Sequence, residues 1–207
     1  MIIAVLASGE GTTLQAVLDA CARQRLLARV GVVISNNRTA GALRRAHAAG
    51  VPARHLSAAT AGGAAALDQA LRDALIESDT QWVLLAGFMK RLGPLTLAAF
   101  AGRIMNTHPA LLPQFGGQGM YGMNVHRAVL AAGCAVSGAT MHWVDANYDT
   151  GTLIRQVRVP VESADSAESL AARVQAAERE LVVEVLAAAV SGKLKPPPDH
   201  SARSATS

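Results

Sequence analysis

The segment MIIAVLASGEGTTLQAV, residues 1–17, carries the clearest fold signal in this 207-residue chain. Residues 2–7 form an unbroken apolar run rich in branched side chains, which is typical of a strand buried on both faces of a sheet. Residues 8–13 interrupt the run with glycines and hydroxyl side chains, and apolar residues then recur at helical spacing from Leu14. The segment therefore predicts a strand, a tight turn and a helix in direct succession.

The same alternation continues along the chain. Further strands are predicted at 30–34, 51–56, 82–86 and 104–106, and helices between them at 39–49, 67–75 and 94–100. Strands that alternate with helices in this way predict an α/β fold, with a doubly wound, mostly parallel, Rossmann-like sheet flanked by helices.

The pattern changes after Pro113. A glycine-rich loop follows, and then a predicted helix at 125–132, strands at 136–144 and 153–159, and a long helix at 166–190. The eight-residue connection at 145–152 allows either antiparallel pairing of its two strands or a return to the sheet edge, and the sequence leaves both open. Asp165 or Ser166 is expected to cap the long helix without a capping box.

Domain organisation is predicted to be simple. Residues 1–192 show neither an internal repeat nor a linker, and are expected to form one domain. Residues 193–207 are expected to be a disordered basic tail, because three consecutive prolines at 196–198 forbid a helix and the end is rich in serine, alanine and threonine.

The formal net charge of +4 is unevenly distributed. Three of the 19 basic and one of the 15 acidic residues fall in 193–207, so the predicted domain is nearly balanced. Aromatic residues make up only 3% of the chain. A balanced, aromatic-poor domain argues against a nucleic-acid-binding surface.

The N-terminus, the apolar runs and the cysteine content all indicate the same cellular compartment, the cytoplasm. The N-terminus lacks the positive region of a signal peptide, and no apolar run has the 18 or so residues that a membrane helix needs. The two cysteines, Cys21 and Cys134, suggest neither a disulfide framework nor a metal site. A reduced cytoplasmic protein without a metal or a membrane partner is therefore expected.

The turn between the first strand and the first helix is a candidate anion site. Its glycines allow a ligand to approach the backbone, and the free N–H groups at a helix start favour an anion. Leu14 stands where a dinucleotide fingerprint needs its third glycine, and no P-loop lysine is present. A single bound phosphate and a plain tight turn capped by a threonine are both compatible with the residues.

Asn106 and His108 form a second candidate site, directly after a predicted strand. Open α/β sheets place their chemistry at such strand ends, and two residues two positions apart in an extended chain point to one side. An asparagine amide can donate to a developing oxyanion, and a histidine exchanges protons near neutral pH. A structural role is the alternative for a lone histidine, but the paired asparagine favours a functional site.

Asp149 lies in an acidic loop that on its own is typical of a solvated turn. If it pairs with His108, it is expected to stabilise the imidazolium and raise the pKa of His108. Two further histidines remain ambiguous: His142 is expected to face either the site or the core from a strand, and His126 to act as a helix cap or an orienting group. No histidine pair has metal-ligand spacing.

Four motifs together resemble the phosphoribosylglycinamide formyltransferase family, over residues 2–190. SGEGTTLQ at 8–15 resembles the family's Ser-Gly-x-Gly-Ser-Asn-Leu-Gln, and AGFMKRL at 86–92 its Ala-Gly-Phe-Met-Arg segment. NTHPALLP at 106–113 and DTG at 149–151 match its Asn-x-His-Pro and Asp-x-Gly elements, which other formyl-folate enzymes share.

The resemblance implies transfer of a formyl group from 10-formyltetrahydrofolate, as co-substrate, to the amine of glycinamide ribonucleotide in purine biosynthesis. It implies that Asn106 donates to the tetrahedral oxyanion, and that His108 acts as an imidazolium held by Asp149. Gly11, Thr12 and Thr13 would hold the ribose phosphate, and Glu178 the glycinamide amine. The folate would be bordered by the backbone of 145–149, by Asn106, and by Met89, Lys90, Arg91 and Leu92. The implied enzyme needs no metal and works as a monomer or a homodimer.

Three features depart from the family pattern. Thr12-Thr13 replaces the commoner Ser-Asn, and the loop at 116–126 is longer than usual and resembles a variant found in some bacterial members. Ala64 stands where relatives often have an arginine near the folate tail.

Three other functions would account for parts of this sequence pattern. A formyltetrahydrofolate deformylase would share the Asn-x-His-Pro site but resembles a longer protein with an N-terminal regulatory domain, for which a strand beginning at Ile2 leaves no room. A methionyl-tRNA formyltransferase would carry a C-terminal RNA-binding domain. A nucleotide-binding module without catalysis would not need Asn106, His108 and Asp149 together.

Overall fold

The computed structural model describes residues 1–197. Seven strands and seven helices follow one another in this part of the chain. The strands are β1 (Ile2–Leu6), β2 (Arg29–Ser35), β3 (Ala53–His55), β4 (Trp82–Leu85), β5 (Ile104–His108), β6 (Val136–Trp143) and β7 (Leu153–Pro160). The helices are α1 (Thr12–Ala22), α2 (Gly41–Ala48), α3 (Ala58–Ala61), α4 (Ala64–Glu77), α5 (Pro94–Ala99), α6 (Met123–Ala131) and α7 (Ala167–Val190).

The strands form one sheet in the order β3-β2-β1-β4-β5-β6-β7. Strands β1 to β5 pair in parallel, whereas β6 is antiparallel to both β5 and β7. The predicted doubly wound, mostly parallel sheet is therefore confirmed, and the pairing of the last two strands, left open above, is antiparallel. The strand order reverses between β1 and β4, which makes their carboxyl ends the topological switch point where such sheets bind ligands.

Both faces of the sheet are covered, which explains the unbroken apolar run of β1. Ile3 and Val5 pack into one core with α1, α2 and α7, whereas Ala4 and Leu6 pack into a second core against α4 and α5. All four residues are fully buried. Alternate side chains of one strand thus supply two separate cores, because successive Cβ atoms point to opposite faces.

The long helix α7 begins with a capping box, which corrects the sequence prediction. Ser166 is the N-cap and its hydroxyl accepts from the N–H of Ser169, while the hydroxyl of Ser169 accepts from the N–H of Ser166. A capping box normally carries glutamate or glutamine at the position of Ser169. The Ser169 hydroxyl accepts the same hydrogen bond here. Because serine is unusual at this position, the sequence prediction missed the motif.

The chain just after α7 contacts the domain. The N–H groups of Lys193 and Leu194 donate to the carbonyl of Ala188, and Leu194 packs against the core shared with α7. Residues 198–207 of the expected tail lie outside the described residues. Within residues 1–197, no helix is both long and apolar enough to cross a membrane.

Asp68 on α4 caps a neighbouring helix, and its removal is expected to be costly. Its buried carboxylate accepts from the N–H groups of Leu95 and Thr96 and from the Thr96 hydroxyl, at 2.6–2.9 Å. Asp68→Ala removes the acceptor of the two N–H groups at the start of α5 and leaves the Thr96 hydroxyl only the backbone carbonyl of residue 68, at 3.2 Å. It should lower the free energy of unfolding by about 3 kcal/mol. Urea unfolding measures this loss.

The matched control is Asp73→Ala, also on α4. Asp73 is half-exposed and, among residues 1–197, pairs only with the adjacent Arg72, so its loss should cost less than about 1 kcal/mol. Equal losses for the two variants would contradict the capping role of Asp68.

Candidate active site

One cleft of about 660 Å³ opens at the switch point of the sheet. The turn after β1, the loop after β4, the end of β5, the glycine-rich loop, the 148–149 segment and α7 all contribute to its walls. Eight predicted site residues line it: Gly11, Thr12, Thr13, Met89, Asn106, His108, Asp149 and Glu178. Tertiary structure therefore brings together residues that lie up to 167 positions apart, from Gly11 to Glu178.

Asn106 lies directly opposite His142 in the antiparallel register of β5 and β6. Its Nδ2 is 3.0 Å from His142 Nε2 and 3.4 Å from Asp149 Oδ1. From the sequence, the His142 side chain was expected to face either the site or the core. The structure places it beside the site, buried and in contact with two of the predicted residues.

His108 is held between a carbonyl and a carboxylate. Its Nε2 is 2.7 Å from the carbonyl oxygen of Phe115, which can only accept, so Nε2 carries a hydrogen. Its Nδ1 faces Asp149 Oδ2 at 3.5 Å. In the neutral ring, the lone pair therefore lies at Nδ1, on the side of Asp149.

Burial lowers the pKa of His108 below its ordinary 6.5, although Asp149 and the Phe115 carbonyl act in the opposite direction. Asp149 therefore acts on this pKa in the expected direction, but the loss of solvation outweighs the nearby carboxylate and the net shift is downward. Near neutral pH the resting ring is an imidazole, and the imidazolium implied by the resemblance forms only if His108 takes up a proton during the reaction.

Asp149 is held by the glycine-rich loop as well as by the histidines. Its Oδ2 accepts from the N–H of Gly117 at 3.0 Å, and its backbone has a φ of 56°. Burial raises the pKa of this carboxyl, but the His142 ring, whose Nε2 lies 3.5 Å from Oδ1, the positive charge of His108 when that ring is protonated and the Gly117 N–H together outweigh burial and lower it. Asp149 is therefore ionised at neutral pH.

The turn before α1 presents the free N–H groups of a helix start to the cleft. Gly11 is the N-cap with a φ of 72°, and no side chain caps the helix. A Cβ at Gly11 would lie 2.7 Å from the Cα of Ala42 on α2, so only glycine fits here. Arg45 of α2 also donates to the Glu10 carbonyl, at 2.8 Å. The turn is therefore fixed against α2, with its amides open to an anion.

Glu178 is a buried carboxyl on α7 at the wall of the cleft. Its Oε1 accepts from the Thr107 hydroxyl at 2.8 Å. Burial raises its pKa, and the hydrogen bond from Thr107 acts in the opposite direction. A buried carboxylate of this kind is stabilised by a cationic ligand.

A smaller cavity adjoins the cleft and shares Asn106 and Asp149 with it. It contains the remaining predicted residues, Lys90, Arg91 and Leu92. Arg91 donates to the carbonyl of Ala146 and lies over the ring of Tyr148, 5.5 Å from its centroid. The segment after β4 and the 145–149 loop thus form opposite walls of one pocket. Ala64 lies at the exposed start of α4 and lines neither cavity.

Some contacts had only a weak sequence signal. Phe115 and Gly117 act through backbone groups, which side-chain chemistry cannot reveal. Thr140 hydrogen-bonds to both Ala110 and Leu112 and so holds the segment after His108, but a threonine within a strand is unremarkable by sequence. The position of His142 opposite Asn106 follows only from the strand register.

The chain is similar to known proteins along almost its whole length. The formyl transferase family model matches residues 1–186. The chain belongs to this family.

Relatives within the formyl transferase family share much of the chain's sequence. It is 40% identical over 186 residues to the chloroplastic phosphoribosylglycinamide formyltransferase of Vigna unguiculata, covering 90% of this chain but only 60% of that relative's length. It is 36% identical over 195 residues to the phosphoribosylglycinamide formyltransferase of Escherichia coli strain K12, covering 94% of this chain and 90% of that one.

Solved structures of the family agree with the fold. Glycinamide ribonucleotide transformylase 1 from Symbiobacterium toebii superimposes with a TM-score of 0.89 at 40% identity, covering 95% of this chain and 91% of the other. The sheet and its helices are therefore those of a formyl transferase.

Proposed function

We propose that this chain is a phosphoribosylglycinamide formyltransferase. It transfers the formyl group of 10-formyltetrahydrofolate to the amine of glycinamide ribonucleotide, producing formylglycinamide ribonucleotide and tetrahydrofolate for purine biosynthesis. The observation that carries the proposal is the meeting of Asn106, His108 and Asp149 in one cleft, between the open start of α1 and the pocket behind Arg91. The names of the relatives support the choice of substrates.

The two substrates approach the centre from opposite sides. The ribose phosphate of the nucleotide binds the backbone amides and hydroxyl groups of Gly11, Thr12 and Thr13. Its neutral amine donates a hydrogen bond to the buried carboxyl of Glu178, which leaves the nitrogen lone pair free to attack. The folate binds between the 145–149 loop and Lys90, Arg91 and Leu92 of the smaller pocket, passes Met89 at the wall of the larger cleft, and presents its formyl group at Asn106.

Formyl transfer needs an oxyanion donor and a route for one proton. The amine nitrogen forms a bond to the formyl carbon, and the C=O electron pair moves onto oxygen, where an N–H of Asn106 stabilises it. His108 takes the proton from the attacking nitrogen at Nδ1 and becomes an imidazolium held by Asp149 and the Phe115 carbonyl. It then passes the proton to N10 as the C–N10 bond breaks. No covalent enzyme intermediate is needed.

The proposed formyltransferase activity involves the whole of the predicted domain. Residues 1–192 form the catalytic domain, which works as a monomer or a homodimer in the cytoplasm. The free thiols of Cys21 and Cys134 are compatible with that reducing compartment.

A single assay separates transfer from hydrolysis. The purified chain is incubated with 10-formyltetrahydrofolate, with and without glycinamide ribonucleotide, and release of the folate product is followed by absorbance. We expect release only when the ribonucleotide is present. Equal release without the ribonucleotide would identify a deformylase instead.

The pH dependence should report the state of His108. Because the reaction needs neutral His108 and burial lowers its pKa, the acid limb of kcat/KM should lie below pH 6.5. Asp149→Asn removes an influence that raises this pKa, so the limb should move to still lower pH while kcat falls. The substrate amine titrates identically with both enzymes, so the difference between the two profiles isolates His108. A limb that moves upward in the variant would contradict this role of Asp149.

The glycine-rich loop is expected to influence turnover through Gly117. Gly117 and Gly119 have similar left-handed backbones, with φ of 94° and 87°, and no atom lies within 4 Å of a Cβ at either. Alanine therefore imposes comparable strain at both positions, but only Gly117 donates to Asp149. We expect Gly117→Ala to lower kcat about tenfold, and the matched control Gly119→Ala to change it less than about twofold. Equal kcat values for the two variants would show that Gly117 does not position Asp149.

A further inference from the structure

We propose that His142 is a positioning residue that orients the Asn106 amide for oxyanion binding. The proposal rests on the function proposed above. His142 belongs to none of the four motifs that carry the family resemblance, and the reaction steps described above do not use it.

The hydrogen-bond partners of His142 set its tautomer. Its Nδ1 is 2.8 Å from the carbonyl oxygen of Trp143, which can only accept, so Nδ1 carries a hydrogen. In the neutral ring, Nε2 is then an acceptor, and it lies 3.0 Å from Asn106 Nδ2. One N–H of the Asn106 amide is therefore donated to His142.

That bond determines which atoms of Asn106 can face the substrate. The second amide N–H makes only the long 3.4 Å contact with Asp149 Oδ1, so a formyl oxygen that develops negative charge can replace this acceptor. Without His142, the amide is free to turn over and present its own oxygen to the oxyanion. The ring thus keeps a donor directed at the reacting centre.

Gly151 supports this arrangement from the chain that follows Asp149. A Cβ at Gly151 would collide with the Trp143 carbonyl oxygen and lie 3.5 Å from His142 Nδ1. The glycine of the Asp-x-Gly motif therefore leaves room for the bond that sets the His142 tautomer. His142 itself is 2% exposed and does not line the larger cleft, which argues against direct proton transfer to the nucleotide.

Paired substitutions at position 142 test the proposal. His142→Leu has a similar volume but no acceptor, and should lower kcat by about 10- to 100-fold with KM for both substrates nearly unchanged. His142→Gln can place an oxygen close to the position of Nε2, and should recover most of that loss. Wild-type turnover in the leucine variant, or a glutamine variant as slow as the leucine variant, would overturn the proposal.

A double-mutant cycle shows whether His142 acts through Asn106. If it does, Asn106→Ala and the double variant Asn106→Ala/His142→Leu should have the same kcat within about twofold. Losses that multiply would show an independent role and overturn the proposal. A merely structural role would instead lower the unfolding temperature of the leucine variant and weaken binding of both substrates.

The tautomer provides a test that needs neither a variant nor activity. Nitrogen-15 NMR of the wild-type protein near neutral pH should show His142 protonated at Nδ1 and bare at Nε2. A hydrogen on Nε2 would overturn the proposal even if formyl transfer is observed. If the proposed function fails instead, wild-type protein will show no transfer to the ribonucleotide, whatever the NMR result.

Discussion

His108→Ala is expected to lower kcat for formyl transfer by about three orders of magnitude. The substitution removes the group that takes up the proton of the attacking amine and returns it to N10, and general acid–base catalysis contributes roughly 10²- to 10⁴-fold. It also leaves Asp149 without the imidazole that faces it at 3.5 Å. Steady-state turnover with saturating substrates measures the loss.

Binding should survive this substitution, because the phosphate site at Gly11–Thr13 does not include His108. Calorimetry should therefore give nearly the same affinity for the ribonucleotide. His47→Ala is the control: His47 is exposed on α2 and lines none of the cavities at the site, so turnover should be unchanged. Near-wild-type turnover of His108→Ala would exclude the proposed mechanism.

Gly11→Ala is expected to weaken binding of glycinamide ribonucleotide by about 10- to 100-fold. A Cβ there would lie 2.7 Å and 2.8 Å from the Cα and Cβ of Ala42, and the φ of 72° is strained for any L side chain. Left-handed backbone alone costs an alanine roughly 1–2 kcal/mol. The turn must therefore move away from α2, and the amides at the start of α1 move with it.

Gly9→Ala is the matched control, since Gly9 lines the same cleft and no atom lies within 4 Å of its Cβ. Calorimetric titration with the ribonucleotide should separate the two variants, while the affinity for the folate stays constant in both. An unchanged ribonucleotide affinity in Gly11→Ala would place the phosphate elsewhere.

Much of the fold followed from local patterns. β1, with residues packing into both cores, appears in the sequence as a continuous apolar run, and most later strands and helices show a hydrophobic pattern of their own. The short helix α3 was not predicted, because its four residues bury no side chain and leave no periodic signal. The capping box of α7 was missed because serine replaces the usual longer side chain.

The site was predictable where function needs particular side chains close together in the chain. Asn106 and His108 lie on one strand end, and their motif indicates chemistry without any knowledge of the fold. The sequence indicated that Asp149 raises the pKa of His108, but not that burial outweighs this effect. The charge of His108 depends on burial, and burial depends on Phe115, seven residues further along the chain, and on β6, which pairs with β5 from a distant segment.

The sequence by itself determined the alternating α/β architecture, the strand–turn–helix succession around Gly11 and the Asn-x-His pair at a strand end. These depend on residue type and local spacing, which a linear chain displays directly. Only the tertiary structure decided that β7 returns antiparallel, that Asp149 is held by Gly117, and that His142 lies opposite Asn106. Those features depend on strand register and on backbone hydrogen bonds between distant segments, which arise only when the chain has folded.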